Sequence, residues 1–226
     1  MRYLIHLSPE REWYVNEFLI PSMRSQGIRD ELIFKWCDTD KKGNLISCMD
    51  SFKSCTGIEG GTWHLQDDVI ISRDFSKRTL GYNDELVCGI CINGIGPYED
   101  RTGYTTPTYM WHSFQCIYIP NYIAASCARW FYSEAIHEER FKQRISGGKS
   151  DDYIFRRFVV ENYRDSVDVV NLKPNLVDHI DFLIGGTLIN KSRTKEMRAK
   201  YFKDQDLIEK LRGEIDERNK NLSRSD

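Results

Sequence analysis

Two adjacent carboxylates, Asp67 and Asp68, follow Gly61-Thr-Trp-His-Leu-Gln66 and precede Val69-Ile-Ile71, within what reads as a single strand. A pair of charges is thereby set into an apolar stretch. A carboxylate taken out of water without a partner costs roughly several kcal/mol, so it demands a cation or a set of hydrogen-bond donors. A hard divalent cation with oxygen ligands meets that demand, and nucleotide diphosphates bring such ions with them. His179, in Leu176-Val-Asp-His-Ile180, is another polar side chain inside an apolar stretch. Imidazole, carboxylate and phosphate oxygens together make a sensible Mn²⁺ shell. A third station is Asp151-Asp152, which follows Ile145-Ser-Gly-Gly-Lys149 and opens a helix behind Ser150. Acids in a first helical turn favour the macrodipole, and a carboxylate there could also deprotonate an attacking hydroxyl.

The elements that must position these residues can be read from spacing. Residues 2–7 look like a first strand ended by Ser8-Pro9, and Trp13, Val15, Phe18, Leu19 and Met23 then run at near-helical spacing until Gly27. Residues 32–37 read as a second strand, followed by a polar loop over 38–44 and a short helix over 45–55. Further on, 74–80 reads as a helix, 86–93 as a strand, 150–163 as a helix and 167–172 as a strand. This alternation predicts an α/β domain with a mainly parallel sheet flanked by helices, and ligands bind at the carboxyl edge of such sheets. The loop after the second strand and the acidic pair are expected on that edge. Residues 94–148 are less regular and rich in aromatics, among them Trp111, Phe114, Tyr118, Tyr122 and Trp130. From residue 193 the chain is charged and helical in pattern, with Ile208, Leu211 and Ile215 as a narrow apolar stripe. The expected division is a domain over 1–190 and a charged helical appendage over 191–226.

The order of acidic pair, glycine-containing loop with acids at a helix start, and late histidine resembles the GT-A class of nucleotide-sugar glycosyltransferases. Gln66-Asp67-Asp68 is similar to the DXD-type motif of that class, with Gln in the first position. Gly147-Gly-Lys-Ser-Asp-Asp152 is similar to the Gly-Gly-Glu-Asp-Asp segment of galactosyltransferases, with Ser150 in place of an acid. The resemblance implies Mn²⁺ or Mg²⁺ on Asp68 and His179, with Asp67 in support beside the donor. It implies Asp151 or Asp152 as the base toward an acceptor hydroxyl. By position, Ser8, Pro9 and Arg11 after the first strand, and Asp38 and Asp40 after the second, would hold the nucleotide, with a UDP-sugar the first expectation. Trp111 is the place to look for the acceptor, because aromatic faces stack on sugars. The acceptor itself, whether glycan, protein or modified DNA base, stays open. A sugar-phosphate nucleotidyltransferase is the nearest rival, but Ser8-Pro-Glu-Arg11 lacks the Gly-rich loop expected of one. A non-catalytic sugar-nucleotide or DNA-binding accessory protein is the rival from another class.

Composition narrows the rest. The 226 residues are 40% hydrophobic and 12% aromatic, enough for a core of ordinary density. Lys and Arg total 32 against 34 Asp and Glu, a formal charge of −2, which gives nucleic acid no basic footprint at the scale of the whole chain. No apolar run is long enough to span a membrane. The N-terminal residues enter a charged segment too soon for a secretion signal, and the seven cysteines read as reduced thiols, so the expectation is cytoplasmic. Cys88-Gly-Ile-Cys91 has a metal-site spacing but lies in a strand, where its thiols face opposite ways. The C-terminal helix is suited to packing on the domain, to self-association or to a partner.

Overall fold

The computed structural model describes residues 1–90, 104–106, 114–146, 151–164, 166–167, 169–185, 198–199 and 201–223. Strand β1 (Arg2–Leu7) leads through Ser8 into one continuous helical segment. Its successive turns are a 3-10 turn (Pro9–Arg11), α1 (Glu12–Tyr14), a π-helical turn (Val15–Leu19) and α2 (Ile20–Ser25). Gly27, at φ +81°, ends it in the left-handed region that a side chain disfavours. Then follow β2 (Ile33–Cys37), α3 (Asn44–Lys53), β3 (Gly61–Gln66), β4 (Val69–Ile71), α4 (Phe75–Arg78) and β5 (Leu86–Cys88). The remainder comprises β6 (Tyr104–Thr106), β7 (Cys116–Pro120), α5 (Asn121–Ser133), α6 (Glu139–Ser146), α7 (Asp151–Tyr163), β8 (Val169–Asn171), β9 (Val177–His179) and α8 (Gln205–Leu222).

Seven strands form one sheet in the order β2-β1-β3-β7-β5-β8-β6. Strands β2, β1 and β3 are parallel, β7 is antiparallel to both β3 and β5, β5 is parallel to β8, and β6 is antiparallel to β8. All but β7 and β6 therefore run one way, as the alternation of strands and helices predicts. Strand alternation divides the core between two faces. Tyr3, Ile5, Leu7, Trp63, Leu65 and Tyr118 pack on one side with Tyr14, Met23 and the stripe Ile208, Leu211 and Ile215. Ile117, Ile119 and Leu86 pack on the other with Leu45, Phe52, Phe131 and Phe155. Gly61 must stay a glycine, because an added Cβ would lie 2.3 Å from the Tyr118 ring.

One expectation is corrected here. Asp67 and Asp68 do not lie within a strand; they form the turn at which the chain leaves β3 of the large sheet for β4. Strand β4 pairs with β9 in a separate two-stranded antiparallel sheet, with Val69 opposite His179 and Ile71 opposite Val177. The stretch expected to be irregular holds β7 in the middle of the sheet and the 13-residue α5. Helix α8 is tied to the body by its buried stripe, by Arg218 to Glu17 at 2.6 Å and by Arg73 to Asp204 at 2.9 Å. Among the described residues no helix is long and apolar enough to cross a membrane. The six described cysteines are free thiols, and Cys91 lies outside the described residues.

Candidate functional site

The carboxyl ends of β1, β2 and β3 border a cleft of about 440 Å³. One wall is the β1 end and the turn after it, from His6 to Arg11; a second is Asp38, Lys41, Gly43, Asn44 and Ser47; the third is Gln66, Asp67 and Asp68. Pro9 starts a 3-10 turn, where its fixed φ and missing N–H are tolerated, and this turn carries Arg11 inward to 4% exposure. Arg11 Nη1 then donates to Asp67 Oδ1 at 2.9 Å and to Asp68 Oδ2 at 2.7 Å. Ser8 donates to Asp67 Oδ2 twice, from its backbone N–H at 2.7 Å and its hydroxyl at 3.0 Å. Both oxygens of Asp67 are thus engaged.

Asp68 differs from its neighbour. Its Oδ2 is shared between Arg11 and His179 Nε2, the latter at 3.1 Å, while Oδ1 is buried without a hydrogen-bond partner among the described residues. Burial pushes the Asp68 carboxyl up, but His179 and then Arg11 outweigh it and hold it well below the usual carboxylate range. Asp67 moves the other way, raised by burial and by the charge of Asp68 against the pull of Arg11. Asp68 is therefore the firmly ionised member. His179 is fixed by the backbone as well as by its ring: it ends β9 opposite Val69, and Ile180 N–H donates to the Asp68 carbonyl at 2.8 Å. Its Nδ1 lies 3.3 Å from Asp181 Oδ1. Tyr14, buried behind the acids, donates its hydroxyl to the Val69 carbonyl at 2.8 Å. Burial and then the charges of Asp68 and Asp67 keep that phenol protonated.

The other expected residues fall into place unevenly. Asp38 lines the cleft and folds the loop around itself, accepting from the N–H groups of Lys42 and Gly43, each at 2.9 Å. Asp40 does not line the cleft; it is exposed, 3.5 Å from Lys42 Nζ. Asp151 is buried at the start of α7 and bonds the side chain of Asn44, which lines the cleft. Burial and then the charge of Asp152 push the Asp151 carboxyl up to about 7. Asp152 is exposed. Trp111 and residues 147–150 lie outside the described residues.

Four residues at or beside the cleft carry no motif signal: His6, Asn44, Ser47 and Asp181. His6 half-lines the cleft and meets His64 Nδ1 through its Nε2 at 2.9 Å; burial pulls it down to about 4, so it is a neutral imidazole at pH 7. Asp181 was discoverable as a second acid two residues beyond His179 in an apolar stretch. Among the described residues no group of three or more His, Cys, Asp or Glu side chains is gathered as a complete metal shell. What the chain offers a cation is narrower: the buried Oδ1 of Asp68, without a hydrogen-bond partner among the described residues, and, beside this carboxylate, His179. Compared with known proteins, the chain matches no family model and no curated protein.

Proposed function

We propose that this chain is a metal-dependent glycosyltransferase of GT-A type, moving a sugar from a nucleotide-sugar donor, a UDP-sugar first, to a hydroxyl acceptor. The observation that carries this reading is Asp68, an ionised carboxylate that lines a cleft of about 440 Å³ and whose Oδ1 is buried without a hydrogen-bond partner among the described residues. A helix-flanked sheet with five strands in one direction and an acidic turn at its carboxyl edge agrees with that class. Asp68 and His179 would hold Mn²⁺ or Mg²⁺, with the remaining positions left to phosphate oxygens and water. A cation bound there neutralises charge developing on the leaving diphosphate. Asp67, fully engaged by Ser8 and Arg11, keeps the turn in shape and supports its neighbour. Asp151 is favoured over Asp152 as the base, because a carboxyl near 7 is matched to taking a proton at neutral pH. The turn after β1 also weakens the nucleotidyltransferase reading. It is a 3-10 turn without glycine, Pro9–Arg11, where that class is expected to carry a Gly-rich loop.

The test is thermal denaturation with UDP-, GDP-, CMP- and dTDP-sugars, each with and without Mn²⁺. A true donor at roughly one hundred times its dissociation constant adds about 2.7 kcal/mol of stability. Asp68→Ala should lose the Mn²⁺-dependent part of that gain. Stabilisation by no nucleotide sugar with any metal sinks the donor-site reading, and equal stabilisation without metal moves the chain toward an accessory binding role.

A further inference from the structure

We propose that the start of α3, together with the Ser47 hydroxyl, is a phosphate seat, an anchor for the donor's diphosphate that needs no metal; this rests on the donor-site reading above. Helix α3 has ten residues and begins behind Gly43, whose φ is +87° and which brings no side chain to cap the helix. The first N–H groups of a helix have no partner inside it. Here Gly43 N–H goes to Asp38 Oδ2 at 2.9 Å, and Ser47 N–H closes the first turn on the Gly43 carbonyl at 3.0 Å. Between them, the N–H groups of Asn44, Leu45 and Ile46 have no hydrogen-bond partner among the described residues. Gly43, Asn44 and Ser47 line the same cleft as Asp68.

Ser47 is the independent sign that a ligand completes this end. The residue is 8% exposed and lines the cleft, and its hydroxyl has no hydrogen-bond partner among the described residues. The hydroxyls further along the same segment behave differently. Ser51 donates to the Cys48 carbonyl at 2.7 Å, Ser54 to the Ser51 carbonyl at 2.6 Å and Thr56 to the Lys53 carbonyl at 2.8 Å. A hydroxyl almost out of water and unpaired is costly, so the one that lines the cleft points to a partner within it. Its surroundings select the chemistry. Peptide N–H groups and a hydroxyl supply donors, and the helix dipole adds positive potential, so the ligand that fits is an anionic oxygen. The loop before the helix does not cancel that potential, because Asp38 and Asp40 are balanced by Lys41 and Lys42, and Lys41 also lines the cleft. Asp151 approaches through Asn44, but burial and then Asp152 push its carboxyl up to about 7, so it carries only part of a charge at neutral pH. Asp68 and the α3 start lie on different walls of the cleft, and the α3 donors act on a phosphate with or without a cation.

Isothermal titration calorimetry of the full chain with UDP, uridine and inorganic pyrophosphate, each in Mn²⁺ and in EDTA, tests this. Ser47→Ala should weaken UDP and pyrophosphate about 10- to 100-fold in both conditions, with uridine affinity and the ligand-free melting point unchanged. Ser47→Asp, which sets a carboxylate on the seat, should abolish binding of both phosphate ligands and spare uridine. Equal weakening of UDP and uridine by Ser47→Ala overturns the proposal in favour of a nucleoside contact. Unchanged UDP affinity in both Ser47 variants, or UDP binding to wild type only with Mn²⁺, overturns it while the donor-site reading stands. Asp68→Ala should remove the gain that Mn²⁺ gives UDP and keep the Ser47-sensitive binding in EDTA. A Mn²⁺ gain that survives Asp68→Ala overturns the metal assignment and leaves the seat standing. Binding of neither UDP nor pyrophosphate to wild type, in Mn²⁺ or EDTA, overturns both readings together.

Discussion

A single guanidinium nitrogen, Arg11 Nη1, donates to both Asp67 and Asp68, so removing it takes a cation from two buried carboxylates at once and leaves Asp67 to Ser8 and Asp68 to His179. Breaking a buried ion pair from one side typically costs about 3–5 kcal/mol, because the remaining charge is left without compensation. Arg11→Ala should lose stability of that order in urea denaturation, and adding Asp67→Asn should recover part of the loss. Asp151 works in the opposite sense. Its folded carboxyl titrates near 7 against an ordinary 3.8, so the folded chain holds a proton that the unfolded chain has released. Stability contributed by that proton is present below the ordinary value and is lost as pH rises toward and through 7. Asp151→Asn should therefore stabilise the protein at pH 8 relative to wild type and flatten the slope between pH 4 and 7, measured by denaturation across pH. If Asp151 is the base, the same substitution should lower kcat by about 10²- to 10⁴-fold. A variant more stable at pH 8 and undiminished in turnover would leave Asp151 a merely buried acid. These opposed effects arise at the residue scale, where the sequence was partly legible. Asp68, His179 and Asp151 could be named from polar type in an apolar setting. Arg11 was named as a nucleotide contact, and its hold on both acids depends on a turn geometry that spacing alone does not encode.

At the scale of elements, α8 shows what a periodic pattern can and cannot convey. Ile208, Leu211 and Ile215 were readable as a stripe, and the structure buries all three against the face of the sheet that carries Tyr3, Ile5 and Trp63. Their period fixed the face of the helix that must be covered, while the covering surface came from strands and helices far earlier in the chain. Ile208, at 1% exposure, is the deepest of the three; Ile208→Ala should cost about 2–5 kcal/mol by urea denaturation. A change below ~0.5 kcal/mol, the range of an ordinary surface substitution, would mean that the helix is not docked. Strand β7 was missed for the converse reason. Cys116-Ile-Tyr-Ile-Pro120 is buried on both faces, so it lacks the alternation by which a half-exposed strand is recognised, and it ends directly in α5. Single-strand reading also ran through Asp67-Asp68 because the residues on both sides are apolar, and nothing local records that they belong to different sheets.

For the molecule as a whole, the α/β class and the carboxyl-edge location of the cleft followed from the alternation of elements. Strand order did not, because which strands become neighbours depends on crossovers that no local pattern records. The seam between the two sheets matters most at this scale. Asp67 is gripped from the large-sheet side by Ser8 and Arg11, and Asp68 from the small-sheet side through His179 and Ile180. One peptide bond joins residues anchored in two separate sheets. That link is one of several ties between the sheets, with Leu176 N–H donating to the Gly89 carbonyl at 2.6 Å as another, and at it Arg11 is the strut holding the two carboxylates together. The turn is therefore a mechanical coupling as well as a chemical one: whatever occupies the Asp68 side and relaxes its tie to Arg11 alters how stiffly the two sheets move together.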